Sequence, residues 1–100
     1  MMIKLLEKVK TLTDEELKLA NEQHPLFASN HEGSAVIREE VEEAEDEMTK
    51  IRYYNGLLWN DIKENENVKD DADAIRKHAI LCACECIQVA AMCEKMKMEK

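Results

Sequence analysis

The run from Ala79 to Cys93 is apolar at every position except Glu85 and Gln88. A helix with this sequence is apolar around most of its circumference, which favours burial against more than one neighbour. Glu85 and Gln88 are three residues apart, so they share one face of that helix. Because a carboxylate is costly to bury without a partner or a bound ion, Glu85 is the residue that most needs a chemical explanation.

The composition favours one small helical domain that spans residues 1–100. Two glycines, one proline and an aromatic content of 4% argue against a β-sandwich. The net charge of −8 disfavours nucleic acid as a partner, because phosphate binding needs clustered Lys and Arg. No segment resembles a signal peptide or a membrane span, and the four cysteines do not form a disulfide pattern. A cytoplasmic protein with no membrane contact is therefore predicted.

The first quarter of the chain is predicted to form two short helices. Apolar residues at helical spacing predict an amphipathic helix over Met2–Lys10. Thr13 followed by Glu16 has the pattern of a capping box and predicts a second helix from about Asp14 to Gln23. Because the residue before a proline avoids helical angles, residues 25–30 are predicted to form a loop.

A long helix is predicted from Asn30 to about Lys63, because Ser29 and Glu32 form another capping-box pattern. Its apolar residues recur at alternating steps of four and three: Ile37, Val41, Ala44, Met48, Ile51, Leu58 and Ile62. A polar connection over residues 64–70 and a last helix from about Ala72 to Lys97, capped by Asp70 or Asp71, are predicted to follow. The predicted fold is all-α, a bundle with a long central helix pair. Oligomerisation is predicted to complete it, since so short a chain has a modest core.

The long helix carries a dense acidic cluster beside its apolar seam. With about 100° per residue, one flank of the seam presents Glu40, Glu43 and Glu47, and the far side presents Glu39, Glu42 and Asp46. Two helices that each project oxygen ligands three residues apart match the preference of Mg²⁺ for hard oxygen donors. The predicted metal ligands are Glu40, Glu43, Glu47, Glu85 and Gln88. The alternative is a solvated acidic face, with Glu85 either in an ion pair with Arg38, Arg52 or Arg76 or buried as a protonated acid. Gln88 would then form an interhelical hydrogen bond.

The two motifs together carry a resemblance to a known family. Residues 39–43 have the pattern E-E-x-x-E, and residues 85–88 have the pattern E-x-x-Q. This arrangement resembles the MazG-like, all-α nucleoside triphosphate pyrophosphohydrolases, which pair E-E-x-x-E with a later E-x-x-D. Residues 27–33 and 83–92 also resemble the small MazG-like proteins of phages and Gram-positive bacteria. The family has Asp where this chain has Gln88, and the two motifs are further apart here.

The resemblance implies a function and a set of site residues. A MazG-like enzyme is a helical bundle that forms homodimers or homotetramers and uses Mg²⁺ to grip a nucleotide triphosphate. It cleaves the α–β phosphate bond and releases a nucleoside monophosphate and pyrophosphate. Carried over to this chain, the resemblance makes Glu40, Glu43 and Glu85 catalytic metal ligands. Gln88 or Glu47 would complete the metal shell.

Three other interpretations remain open from the sequence. The chain can be a non-catalytic MazG-like oligomer that binds a nucleotide or a protein partner, because Gln88 is neutral and cannot act as a base. His78, Cys82 and Cys86 have helical spacing for a zinc site, although a fourth ligand is missing. Phe27, His31 and Trp59 can stack on a nucleobase; the favoured alternatives are that Phe27 packs as a hydrophobic staple at the start of the long helix and that Trp59 fills the core.

Overall fold

The computed structural model describes residues 2–98, which form three α-helices. These are α1 (Met2–Gln23), α2 (Asn30–Lys63) and α3 (Lys69–Lys97). No strand occurs in this part of the chain, so the predicted all-α class is confirmed. The helices α2 and α3 form a long hairpin, and α1 packs against α3. The hairpin is the long helix pair that the sequence predicted.

The first helix is continuous, and the predicted break near Thr13 is wrong. The Thr13 hydroxyl donates a hydrogen bond to the carbonyl of Val9 at 2.9 Å, one turn earlier. A threonine that bonds backwards in this way sits inside a helix and does not cap a new one. The segment before Thr13 therefore runs directly into the segment after it.

Helix α2 starts where the Ser29 and Glu32 capping-box pattern predicts. The Ser29 side chain accepts a hydrogen bond from the backbone N–H of Glu32 at 3.1 Å, and the Glu32 carboxylate accepts one from the N–H of Ala28 at 3.2 Å. These bonds satisfy N–H groups that a helix start leaves without partners. The helix ends at Lys63, and Asn65 then adopts a positive φ of 57°, the left-handed conformation that commonly follows a helix end.

The last helix begins three residues earlier than predicted. Its first residue is Lys69, whose N–H donates to the Asn67 side chain at 2.8 Å. Asp70 and Asp71 lie in the first turn, so the prediction that one of them caps the helix is wrong. Acidic residues at this position interact favourably with the positive end of the helix dipole.

The core is small and lies where the three helices converge near the start of α2. Phe27, Ala91 and Met92 are buried together, and Leu17, Ala20, Val36, Ile37 and Met96 pack around them. The side chain of Lys95 is also buried, with its Nζ 4.8 Å from the centre of the Phe27 ring. A buried ammonium over an aromatic face gains a cation–π interaction, which offsets part of its lost hydration.

Part of the apolar surface of α3 is exposed to solvent in the single chain. Ile80 and Leu81 are 48% and 40% exposed, although both lie in the apolar run that the sequence marks for burial. On α2 the predicted seam is half-buried except at Met48 and Ile62, which are exposed. No helix in residues 2–98 combines the length and the apolar character needed to cross a membrane.

Candidate functional site

The hairpin brings three carboxylates from the two sequence motifs into one group. Glu40 and Glu43 lie one turn apart on α2, and Glu85 reaches them from α3. One oxygen from each side chain lies within 4.8 Å of the others. Glu40 and Glu85 are half-buried, whereas Glu43 is exposed. We call these three residues the carboxylate triad.

The negative charges of Glu43 and Glu85 in the triad repel each other. The pKa of Glu43 is raised above its ordinary value of 4.5, chiefly by a hydrogen bond with Glu85 and then by the charge of Glu85. Partial burial and Asp46 raise it further. A carboxyl group whose pKa rises on folding contributes stability that is complete below its unfolded pKa and lost as the pH rises through its folded pKa. At neutral pH the contact between Glu43 and Glu85 therefore lowers the stability of the fold. A proton shared between the two carboxylates, or a bound cation, would remove this loss.

Glu85 has no cationic partner to neutralise it. Among residues 2–98, no arginine, lysine or histidine forms an ion pair with Glu85. The alternative in which Glu85 pairs with Arg38, Arg52 or Arg76 is therefore not seen in the fold. The other two acids of the triad each place an oxygen within 4.8 Å of a Glu85 oxygen.

Glu47 lies one turn beyond Glu43 but bonds to a different partner. Its Oε2 is 2.7 Å from His78 Nδ1, and its Oε1 is 3.4 Å from Lys50 Nζ. The His78 ring also stacks on Tyr54, with ring centres 5.6 Å apart and planes within 8°. The pKa of Glu47 is lowered, first by the hydrogen bond with His78, while partial burial opposes the shift. The His78 contact crosses the hairpin and links α3 to α2.

Replacing His78 with alanine is expected to raise the pKa of Glu47 towards 4.5, because the hydrogen bond with His78 is the largest cause of its lowering. A carboxyl group whose pKa falls on folding stabilises the protein above its unfolded pKa, and this contribution is lost as the pH falls through its folded pKa. His78→Ala should therefore lower stability at neutral pH and have less effect in acid.

An NMR titration of the Glu47 side-chain carboxyl carbon measures this change. Lys50→Ala is the matched control, because the charge and the hydrogen bond of Lys50 are each a smaller cause of the lowered pKa than the hydrogen bond with His78. An unchanged pKa of Glu47 in His78→Ala would show that the hydrogen bond has no energetic weight in solution.

Gln88 faces the first helix. Its Nε2 donates a hydrogen bond of 2.7 Å to Glu16 Oε2, and both side chains are half-buried. The interhelical hydrogen bond that the sequence left open as an alternative is therefore present. The sequence does not predict Glu16 as the partner of Gln88, because Glu16 lies three residues after Thr13 and this spacing indicates a capping box. Neither Gln88 nor Glu47 belongs to the triad in this conformation, and their roles as ligands stay predictions.

The cysteines form no disulfide and no metal cluster in the described residues. Cys82 is buried, its thiol lies 3.5 Å from the Ala44 carbonyl, and burial raises its pKa. Cys84, Cys86 and Cys93 are exposed free thiols. Within residues 2–98, His78, Cys82 and Cys86 do not converge as shared ligands, and His78 is already bonded to Glu47.

The aromatic residues do not gather around the triad. Phe27 is buried in the core, near the start of α2. Trp59 is 59% exposed, so the prediction that it fills the core is wrong. The Lys63 Nζ lies over its ring instead, 5.7 Å from the ring centre. His31 is exposed in the first turn of α2.

Comparison with known proteins does not assign the chain to a family. No family model matches it, and neither a curated protein nor a solved structure shows significant similarity to it.

Proposed function

We propose that this chain is a Mg²⁺-dependent nucleotide triphosphate pyrophosphohydrolase of MazG-like architecture. It would cleave the α–β phosphate bond and release a nucleoside monophosphate and pyrophosphate. The observation that supports this most is the approach of Glu40, Glu43 and Glu85 to within 4.8 Å. These residues come from motifs far apart in the sequence, and they are the three that the resemblance makes metal ligands.

The donor chemistry of the triad fits Mg²⁺. Mg²⁺ takes carboxylate and water oxygens at about 2.0–2.1 Å, so two oxygens on one ion lie at most about 4.2 Å apart. Small side-chain rotations bring a separation of up to 4.8 Å into this range. When bound, the ion would neutralise phosphate charge and orient water for attack. Glu40, Glu43 and Glu85 would hold it, and Glu47 or Gln88 would complete the shell after leaving its present partner.

The surroundings of the triad support a role in chemistry more than a role in packing. Glu85 is half-buried in an apolar helix without a cationic partner, so its charge is poorly compensated in the free protein. A site with this excess of negative charge binds a divalent cation favourably, because the cation removes the repulsion between Glu43 and Glu85. The enzyme is proposed to act in the cytoplasm as a homodimer or homotetramer.

Calorimetric titration with Mg²⁺, with and without a non-hydrolysable nucleotide triphosphate, tests this function. Wild type is expected to bind Mg²⁺, and Glu85→Ala is expected to lose binding. Glu42→Ala is the matched control, since Glu42 is an exposed acid of the same cluster on the far side of α2. A screen of nucleotide triphosphates for pyrophosphate release then defines the substrate. Absence of Mg²⁺ binding by wild type in both titrations would contradict the proposal.

A second candidate function is supported by the Gln88–Glu16 hydrogen bond. If Gln88 serves only to join α3 to α1, the chain is a non-catalytic helical oligomer that binds a nucleotide or a protein partner. The family's Asp at this position would place a carboxylate beside Glu16 and remove the donor. In this second proposal, the chain has an interhelical contact at the position where the MazG-like family has a metal ligand.

Gln88→Asp is expected to destabilise the fold by about 1–2 kcal/mol, because it replaces a half-buried hydrogen bond with two facing carboxylates. Adding Glu16→Gln should recover most of this loss, since the new amide can donate to the new carboxylate. Urea unfolding of the two variants measures both effects. Pyrophosphate release by the double variant but not by wild type would favour a decayed enzyme over the first proposal.

A further inference from the structure

The single chain exposes more surface than a closed domain of its mass. Its accessible surface is 7809 Å², whereas a folded monomer of 11.6 kDa exposes about 5,800 Å². Its radius of gyration is 17.2 Å, against about 13 Å for a compact domain of 100 residues. The excess of roughly 2,000 Å² lies within the range of about 1,000–2,500 Å² that each subunit of an obligate homodimer buries.

Helix α1 carries a row of leucines that the rest of residues 2–98 leaves about half exposed. Leu5, Leu12 and Leu19 are 55%, 46% and 56% exposed. They are spaced seven residues apart, so they lie along one side of the helix with a drift of only about 20° per step. The helix packs on α3 through another side, which includes Leu17 and Ala20. The row has the heptad spacing by which helices pack against each other.

The charges beside this row are arranged for a partner that runs in the opposite direction. Lys8 lies four residues before Leu12 and Glu15 lies three residues after it, on the same flank of the row. Both side chains are exposed, and neither forms an ion pair within residues 2–98. A two-fold axis at Leu12 that relates two antiparallel α1 helices would bring Lys8 beside Glu15 of the partner subunit, twice.

We propose that two copies of this chain associate through α1, antiparallel, about a two-fold axis at Leu12. Leu12 packs on Leu12 of the partner subunit, and Leu5 packs on Leu19 of the partner subunit. A second copy is the occupant that always brings the complementary row and the complementary charges. This interface rests on the exposed surface and on the pattern of α1, and it does not depend on the proposed metal chemistry.

Sedimentation equilibrium of the full chain tests the interface. Wild type is expected to be a dimer, and Leu12→Glu is expected to raise the dimer dissociation constant at least about 100-fold, because the axis places two buried charges face to face. Ile3→Glu is the matched control: Ile3 is 73% exposed on the same helix but on the side away from the row. A monomeric wild type at micromolar concentration, or equal effects of the two substitutions, would overturn the proposal.

Charge exchange tests the antiparallel arrangement even if Leu12→Glu fails to fold. Lys8→Glu and Glu15→Lys should each weaken association by roughly threefold to tenfold, because each makes two like-charge contacts. The double variant should restore the wild-type dissociation constant of the dimer, because it keeps the ion pair and only exchanges the two charges. Additive weakening in the double variant would contradict the pairing of Lys8 with Glu15 of the partner subunit. Circular dichroism confirms that each variant keeps its helical content.

Discussion

Glu85→Gln is expected to abolish Mg²⁺ binding and pyrophosphate release while leaving the helical fold intact. The substitution keeps the size and hydrogen-bonding capacity of the side chain and removes its charge. Turnover should fall by more than about 100-fold, which exceeds the roughly 10–100-fold cost of losing only an outer-shell partner of a metal. Steady-state assays of pyrophosphate release, together with calorimetry, measure the two losses.

The same substitution has a second expected effect that needs no substrate. Because the hydrogen bond and charge of Glu85 are the main causes of the raised pKa of Glu43, Glu85→Gln should lower that pKa towards 4.5. Removing the repulsion should also make the metal-free variant at least as stable as wild type at neutral pH. A destabilised variant with an unchanged Glu43 pKa would show that Glu85 is a structural residue.

Glu42→Gln is the control for charge alone. It removes one negative charge from the same acidic cluster, but Glu42 is exposed and lies outside the triad. Its turnover and Mg²⁺ affinity should stay within about twofold of wild type, because exposed charges are screened by solvent and salt. Equal losses in Glu42→Gln and Glu85→Gln would mean that overall charge, and not the triad, controls metal binding.

Phe27→Ala is expected to cost about 3–5 kcal/mol of unfolding free energy, the usual cost of truncating a buried aromatic side chain. Phe27 lies in the cluster where all three helices meet, and its ring also contacts the Lys95 ammonium. A domain of this size has a total stability of about 5–15 kcal/mol. The substitution should therefore remove a large fraction of the stability, as measured by urea unfolding.

Trp59→Ala is the matched aromatic control. Trp59 is 59% exposed and contacts Lys63, so its truncation should change the stability by no more than about 0.5 kcal/mol. A large effect of Trp59→Ala with a small effect of Phe27→Ala would contradict the position of the core. Comparing the two at several protein concentrations also separates core stability from association, since a dimer interface makes unfolding concentration-dependent.

The sequence predicted the candidate site better than it predicted the ends of the helices. The E-E-x-x-E and E-x-x-Q motifs identified Glu40, Glu43 and Glu85, and these residues meet in the fold. The spacing of Glu40 and Glu43 is a local property of one helix, so it can be seen in the sequence. Glu85 was joined to them by the resemblance, and its approach is a contact between two helices. The predicted helix starts near Asp14 and Ala72 were wrong, because a capping pattern shows only where a helix can start and the helical hydrogen bonds begin before both positions.

The partners of Glu47 and Gln88 depended on how the helices pack. Sequence periodicity placed both near the predicted metal ligands, but Glu47 bonds to His78 and Gln88 bonds to Glu16. Each of these contacts joins two different helices. The relative rotation of packed helices decides which of several neighbouring polar residues meet, and a single helix pattern does not contain that rotation.

The sequence alone determined the all-α class, the start of α2 at Ser29 and the position of Glu40 and Glu43 one turn apart on that helix. These follow from periodicity and local hydrogen bonding, which act within a few residues. Only the tertiary structure decided that α1 is one helix with an exposed row of leucines, that Trp59 stays exposed and that no cationic side chain within residues 2–98 pairs with Glu85. Those features depend on which surfaces the chain covers, and burial is a property of the whole packed molecule.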